Sequence, residues 1–250
     1  MITVIIPTCD RPARLARALA SVSAQGVPPA QVIVVDNGRT PAQPIALEGL
    51  EVITTRAPVR CGAAQARNIG AVLAQSEWLA FLDDDDTWHT DYLSACHQAM
   101  TADTATRLWL GGVELLDEAG QVTAVKRWDA GNPRAVLWRN PGVVGSNVVI
   151  HRETFLQVGG FDQRLACGED RALLWRCLRA DVPVALVPSA RAFLQSHGDG
   201  RLSDPGPLLH GKAHFAWLYR REMRWRERLA TLANMAMGLW VAARQGRLRR

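Results

Sequence analysis

The chain has 250 residues, 48% of them hydrophobic and 21% charged, with a formal net charge of +5; this reads as an ordinary globular protein with a sizeable core. No run reaches the roughly 18 uninterrupted apolar residues of a membrane-spanning helix. The five cysteines form no CxxC spacing and read as reduced thiols of a cytosolic protein rather than as a disulfide framework.

A first strand is predicted over residues 2–8, a continuous apolar run closed by a proline, as in strands buried on both faces. No positive region precedes it and it turns polar at once, so it is read as a strand and not a signal peptide. Leu15, Ala18, Leu19 and Val22 give residues 11–24 helical spacing. Val32-Ile33-Val34-Val35, within 31–37, is a second buried strand ending in Asp36-Asn37-Gly38, and residues 51–55 make a third. A helix over 63–75 carries Ala66, Ile69, Ala71, Val72 and Leu73 on one face. Then Trp78-Leu79-Ala80-Phe81-Leu82 runs straight into Asp83-Asp84-Asp85-Asp86.

Strands and helices with such short connections imply a parallel sheet covered on both faces. Ligands of open sheets bind beyond the strands' carboxyl ends, so Pro7-Thr8, Asp36-Asn37 and the four aspartates are expected on one rim. Carboxylates held together raise each other's pKa and are costly unless a cation neutralises them. Oxygen ligands suit Mg²⁺ or Mn²⁺. If the strand ran through the cluster, Asp83 and Asp85 would face one side, Asp84 and Asp86 the other; the competing reading is a solvated loop capping the next helix at Thr90 or Asp91. Neither GxGxxG nor GxxxxGK[ST] is present where it should be, which argues against a dehydrogenase or a P-loop phosphotransferase.

Further on, strands are predicted over 108–116 and, across the turn Glu118-Ala119-Gly120, over 122–128. Residues 143–150 form another, interrupted at Gly145-Ser146-Asn147 by a bulge or a close approach to an acceptor. A short helix over 152–158, a turn at Gly159-Gly160, a helix over 171–179 opened by Gly168-Glu169-Asp170, and a last strand over 182–187 follow. One domain is expected over 1–209, with a nucleotide half over about 1–105 and an acceptor half over about 106–209, then a basic helical tail over 210–250. In that tail Trp225, Leu229, Leu232, Ala236, Leu239 and Ala243 form an apolar stripe flanked by Arg224, Arg226 and Arg228. The stripe is expected either to lie on an anionic membrane or to pack on the domain or on a second copy.

Six motifs occur in one order: Pro7-Thr8 with Asp10-Arg11; Val35-Asp36-Asn37-Gly38; Ala66-Arg67-Asn68-Ile69-Gly70; Phe81 through Trp88; Val158-Gly159-Gly160-Phe161-Asp162; and Gly168-Glu169-Asp170. The set resembles the GT-A fold family 2 glycosyltransferases over roughly residues 2–190. The resemblance implies a Rossmann-like, mostly parallel sheet with helices on both faces, and transfer of a sugar from a nucleoside diphosphate, UDP first among them, to a carbohydrate, lipid-linked or small-molecule hydroxyl. It places the nucleotide on Pro7, Thr8, Asp36, Arg67, Asp83 and Asp84, and a divalent metal, Mn²⁺ or Mg²⁺, on Asp83, Asp85 and His197, with the register of the aspartates open by one residue. It makes Asp170 the general base of an inverting transfer and Glu169 the runner-up. Asp36 can instead be a turn cap, Arg67 a surface arginine, the Glu-Asp pair a helix cap and His197 a surface residue. A catalytically silent nucleotide-sugar-binding subunit is the alternative; nucleic-acid binding is not indicated, because no recognised motif accompanies the arginines. The expected location is cytoplasmic, or peripheral at the inner face of a membrane.

Overall fold

The computed structural model describes residues 1–43, 47, 49–195 and 205–244. In chain order the elements are β1 (Ile2–Thr8), α1 (Pro12–Ser23), β2 (Gln31–Asp36), β3 (Val52–Arg56), α2 (Ala63–Leu73), β4 (Trp78–Phe81), β5 (Asp86–Trp88), α3 (Tyr92–Ala102), β6 (Leu108–Leu116), β7 (Val122–Lys126), β8 (Val148–His151), α4 (Arg152–Gln157), α5 (Glu169–Arg179), β9 (Val184–Gln195), α6 (Pro205–Leu218) and α7 (Trp225–Arg244). The strands form one sheet in the order β3-β2-β1-β4-β8-β6-β9-β5, with β7 also paired to β6. The run β3-β2-β1-β4 is parallel, as is β6 with β9; β8, β7 and β5 join antiparallel.

Alternate residues of the buried strands feed two cores. Ile5, Ile33, Val35, Leu79 and Phe81 pack with Ala66 and Ala71 of α2, Leu173 and Leu174 of α5, and Phe215 of α6. Val4, Ile6, Val32, Val34 and Ala80 face the other way, against Leu15, Leu19 and Val22 of α1 and Leu93 of α3. Each such aliphatic side chain, fully buried, contributes about 1.5–3 kcal/mol over leaving it in water. The strand order reverses at β1, with β2 on one side and β4 on the other. A crevice opens where an open sheet reverses in this way, so β1 and β4 aim their carboxyl ends at the ligand position.

One strand decides an alternative that the sequence leaves open, and another runs longer than expected. β4 stops at Phe81 instead of running through the aspartates: Asp86 N donates to Asp83 O at 3.1 Å, closing a turn, and Asp86 then opens β5 opposite Leu194 of β9. The alternation of faces that a continuous strand would impose therefore does not apply. β9 continues beyond Val187 to Gln195, because a register shift between Gly111 and Gly112 of β6 accommodates the three residues Pro188-Ser189-Ala190. A Cβ on Gly111 would meet Ala190 O at 2.5 Å, so that position has room only for glycine.

Among the described residues the C-terminal region is two helices, α6 and α7. Phe215, Tyr219 and Met223 are buried in the core, so the chain through α6 is part of the packed domain. α7 is held by Arg134, which donates twice to Glu227 at 2.7 Å, and by Asn234, which donates to Trp138 O at 3.1 Å. That contact face leaves Trp225, Leu229, Leu232, Met237 and Trp240 each more than half exposed, pointing away from the domain. The side chains of Leu239 and Ala243 are outside those described. No helix among the described residues is long and apolar enough to cross a membrane.

Candidate active site

A cavity of about 880 Å³ opens at the carboxyl ends of β1 and β4 and extends to α5, α6 and α7. It is lined by Pro7, Thr8, Arg67, all four aspartates, Glu169 and Asp170. The turn after β4 sorts the aspartates by role. Asp84 is buried and turns toward β1, where Thr8 Oγ1 donates to its Oδ2 at 2.8 Å and Arg11 to its Oδ1 at 3.2 Å. Burial pushes the Asp84 carboxyl up to about 6 against the pull of those two donors. Asp83, Asp85 and Asp86 converge instead, each offering one carboxylate oxygen within 4.8 Å of the others. Such an all-oxygen set fits a hard divalent cation.

A short 3-10 helix, Gly145–Asn147, supports this turn. Fully buried Ser146 accepts from Asp83 N at 3.1 Å and donates to Asp86 Oδ2 at 2.6 Å, while its carbonyl accepts from Trp88 Nε1 at 2.7 Å. The interruption in the sequence pattern is thus a brace for the carboxylates. Its neighbour Gly145 lies against Arg67, whose Nη2 a Cβ would meet at 2.7 Å.

Arg67 is the centre of the arrangement. It is buried at the N-terminal half of α2, stands over the Phe161 ring, and reaches two carboxylates at once: one amino group bonds Asp83, the other donates to Glu169 Oε1 at 2.8 Å. Burial alone would make the guanidinium easier to deprotonate; Asp83 and Glu169 outweigh this and hold it firmly charged. In this structure Arg67 ties the aspartate turn to the start of α5 and has no surface role. At that start Gly168 takes a left-handed backbone, φ +89°, which feeds Glu169 and Asp170 into the cavity. Asp170 Oδ1 accepts from Arg171 N at 2.7 Å. Burial first, and Glu169 second, push the Asp170 carboxyl up to about 7.

Asp36 is placed differently from the other candidates. It sits at the end of β2, almost wholly buried, and does not line the cavity. Its oxygens accept from Gly38 N and Ala42 N, each at 2.7 Å, and pair with Arg56, which pins the loop after β2. Its neighbour Asn37 does face the cavity, with Cys9 and Arg60. His197 lies outside the described residues. Sequence reasoning gave no role to Arg11, which also reaches Asp85 at 3.4 Å, with Arg14 at 3.8 Å from the same carboxylate. The signal available was position alone, a basic pair directly after the polar end of β1.

The family model described as Glycosyl transferase family 2 matches residues 3–159. The chain belongs to this family. Among curated relatives, it is 42% identical over 118 residues to the succinoglycan biosynthesis protein ExoW of Rhizobium meliloti, covering 43% of this chain and 36% of that protein. It is 29% identical over 205 residues to the pre-mycofactocin glycosyltransferase of Mycobacterium tuberculosis, covering 74% of this chain and 42% of that one. The chain thus spans well under half the length of these two relatives. Among solved structures, residues 1–349 of S. aureus TarS in complex with UDP-GlcNAc superpose with a TM-score of 0.66 at 15% identity, covering 94% of this chain and 71% of the other. At that identity the likeness is one of fold, and it agrees with the GT-A architecture read from the motifs. The family match ends at Gly159, so Glu169, Asp170 and the helices after them lie beyond it.

Proposed function

We propose that this chain is an inverting glycosyltransferase that takes a sugar from a nucleoside diphosphate, UDP first, and passes it to an acceptor hydroxyl. The observation that carries this reading is the convergence, across Arg67, of the aspartate turn and the Glu169-Asp170 pair on one cavity. Asp83, Asp85 and Asp86 would hold a divalent ion, Mn²⁺ or Mg²⁺, which supplies Lewis-acid neutralisation of the leaving diphosphate. Asp170 takes the proton from the acceptor hydroxyl while that oxygen bonds to the anomeric carbon; the bond from that carbon to the phosphate oxygen breaks, its electron pair leaves with the nucleoside diphosphate, and the configuration inverts. Pro7, Thr8, Asn37 and Arg60 form the wall available to the nucleoside, and Asp36 holds the loop beside it. UDP is the first nucleotide to test because a protein of the same fold binds UDP-GlcNAc.

The test is thermal unfolding with UDP, dTDP or GDP, each with and without Mn²⁺ or Mg²⁺. A ligand at 100 times its Kd stabilises by about 2.7 kcal/mol, and for this size each kcal/mol moves Tm by about 2–4 °C. A metal-dependent rise with one nucleotide is expected. If none of the combinations moves Tm, the donor reading is wrong.

We further propose that the acceptor is presented at an anionic lipid surface, on which α7 rests. The exposed stripe of Trp225, Leu229, Leu232, Met237 and Trp240, with Arg220, Arg221, Arg224 and Arg226 exposed around it, has the apolar face and basic rim of an interfacial helix. The full chain is expected to float with vesicles containing anionic phospholipid and not with purely zwitterionic ones, and Leu229→Ser with Leu232→Ser to abolish flotation. A native chain that stays at the bottom of the gradient with both vesicle types removes the membrane from the proposal.

A further inference from the structure

We propose that Arg171 and Lys212 form a binding site for an oxyanion, phosphate or carboxylate, carried by the acceptor; this rests on the glycosyltransferase reading above. Arg171 follows Asp170 on α5 and is buried. Its Nε and Nη2 donate to Val136 O at 3.0 and 2.8 Å, and its guanidinium stands 4.1 Å from the centre of the Phe215 ring. Among the described residues no carboxylate lies within ion-pair distance of it, and no hydrogen bond uses its Nη1. The same cavity receives Lys212 from α6, also without an ion pair or hydrogen bond among the described residues. Gly211 brings that helix in close, since a Cβ there would meet Cys167 Cβ at 2.6 Å.

The other buried arginine among the described residues, Arg67, is matched by Asp83 and Glu169, and half-buried Arg11 and Arg134 are matched by Asp84 with Asp85 and by Glu227. Holding two cations together in a partly dry cavity with no ion pair is unfavourable, though the neighbouring Asp170 carboxylate offsets part of the cost for Arg171, and both respond. Burial pushes Arg171 down to about 10, and burial with the field of Arg171 lowers Lys212. An oxyanion entering the cavity removes that cost and gains charge-assisted hydrogen bonds from the free edge of the guanidinium and from the ammonium. The site differs from the one that receives the donor diphosphate, where the charges to be met are the aspartates. It adjoins Asp170, so an acceptor anchored there would hold its hydroxyl beside the base.

The experiment is calorimetric titration of the full chain, saturated with UDP and Mg²⁺, with glucose 6-phosphate, glucuronate and glucose. At least one charged sugar is expected to bind at least 10-fold more tightly than glucose; the phosphate and carboxylate arms show which oxyanion the site takes. Lys212→Gln is expected to weaken that binding about 5- to 10-fold and Lys212→Arg to restore it, with folding of each variant checked by Tm. Charged sugars that bind no better than glucose, or binding to the Lys212→Gln chain at the native affinity, would overturn the proposal. The shift of Tm with UDP and Mg²⁺ is read separately, so loss of the donor reading shows there, and the sugars can still be titrated without nucleotide.

Discussion

Asp170→Asn is expected to lower kcat by about 10²- to 10⁴-fold, the usual contribution of a positioned general base, while the rise in Tm with nucleotide and metal persists. Asparagine has nearly the same shape and can still accept from Arg171 N, which holds Asp170 at 2.7 Å. What it lacks is an electron pair basic enough to take the acceptor's proton. Glu169 is poorly placed to substitute, because its Oε1 is engaged by Arg67 at 2.8 Å. Since burial pushes Asp170 up to about 7, and only the ionised carboxylate is a base, native kcat/KM is expected to climb with pH through neutrality and then level off. The variant's residual rate should lose that limb. The sign for stability is the reverse. A carboxyl whose folded pKa is raised contributes stability present below the unfolded value, near 4, and lost as pH rises through the folded one. Asp170→Asn should therefore be no less stable than the native protein at pH 8. Full turnover by this variant would move the base elsewhere, and a matching loss in Glu169→Gln alone would move it to Glu169.

What was legible in the sequence follows from how local each cause is. β1 and β2 are continuous apolar runs because both faces are covered, and α1 repeats at helical spacing because one face is; each pattern is complete within its own segment. β5 has three residues and exists because Asp86, Thr87 and Trp88 pair with Leu194, Phe193 and Ala192, roughly a hundred positions away. No local pattern announces such a strand. The same pairing bends the chain at Asp83 to Asp86, so four adjacent carboxylates in one line of text become one facing Thr8 and three facing each other. The motif order pointed to the rim of the sheet on which the cavity opens, but the partners of Arg67 depend on α5 closing over it, which the text of α2 alone does not state. The stripe on α7 was visible as a period, whereas its outward direction is set by Arg134, Trp138 and Glu227 on the opposite face.

Arg67→Met is expected to cause the largest loss of stability of any single change in the site, because it leaves two carboxylates facing each other without the guanidinium between them. Breaking a buried ion pair from one side typically costs about 3–5 kcal/mol, or about 6–20 °C in Tm at 2–4 °C per kcal/mol for a domain of this size. The two partners differ in how they can respond. The Asp83 side chain is 29% exposed and can take up water or a cation, whereas that of Glu169, at 11%, depends on the guanidinium. Removing the second carboxylate should therefore return part of the loss: Arg67→Met with Glu169→Gln is expected to be more stable than the sum of the two single changes predicts, by about 0.5–3 kcal/mol. Arg67→Lys keeps the charge but not the fork, so it can satisfy Asp83 or Glu169 and not both. Its Tm should fall between those of the native and Arg67→Met proteins, with turnover still depressed because the aspartate turn and α5 are no longer held by one rigid group. A Tm for Arg67→Met within about 2 °C of the native value, less than about 1 kcal/mol, would mean that the two carboxylates are held apart by the backbone on either side. Ser146 beneath the turn and Gly168 at the head of α5 would then be the residues that set the spacing between the aspartate turn and the Glu169-Asp170 pair.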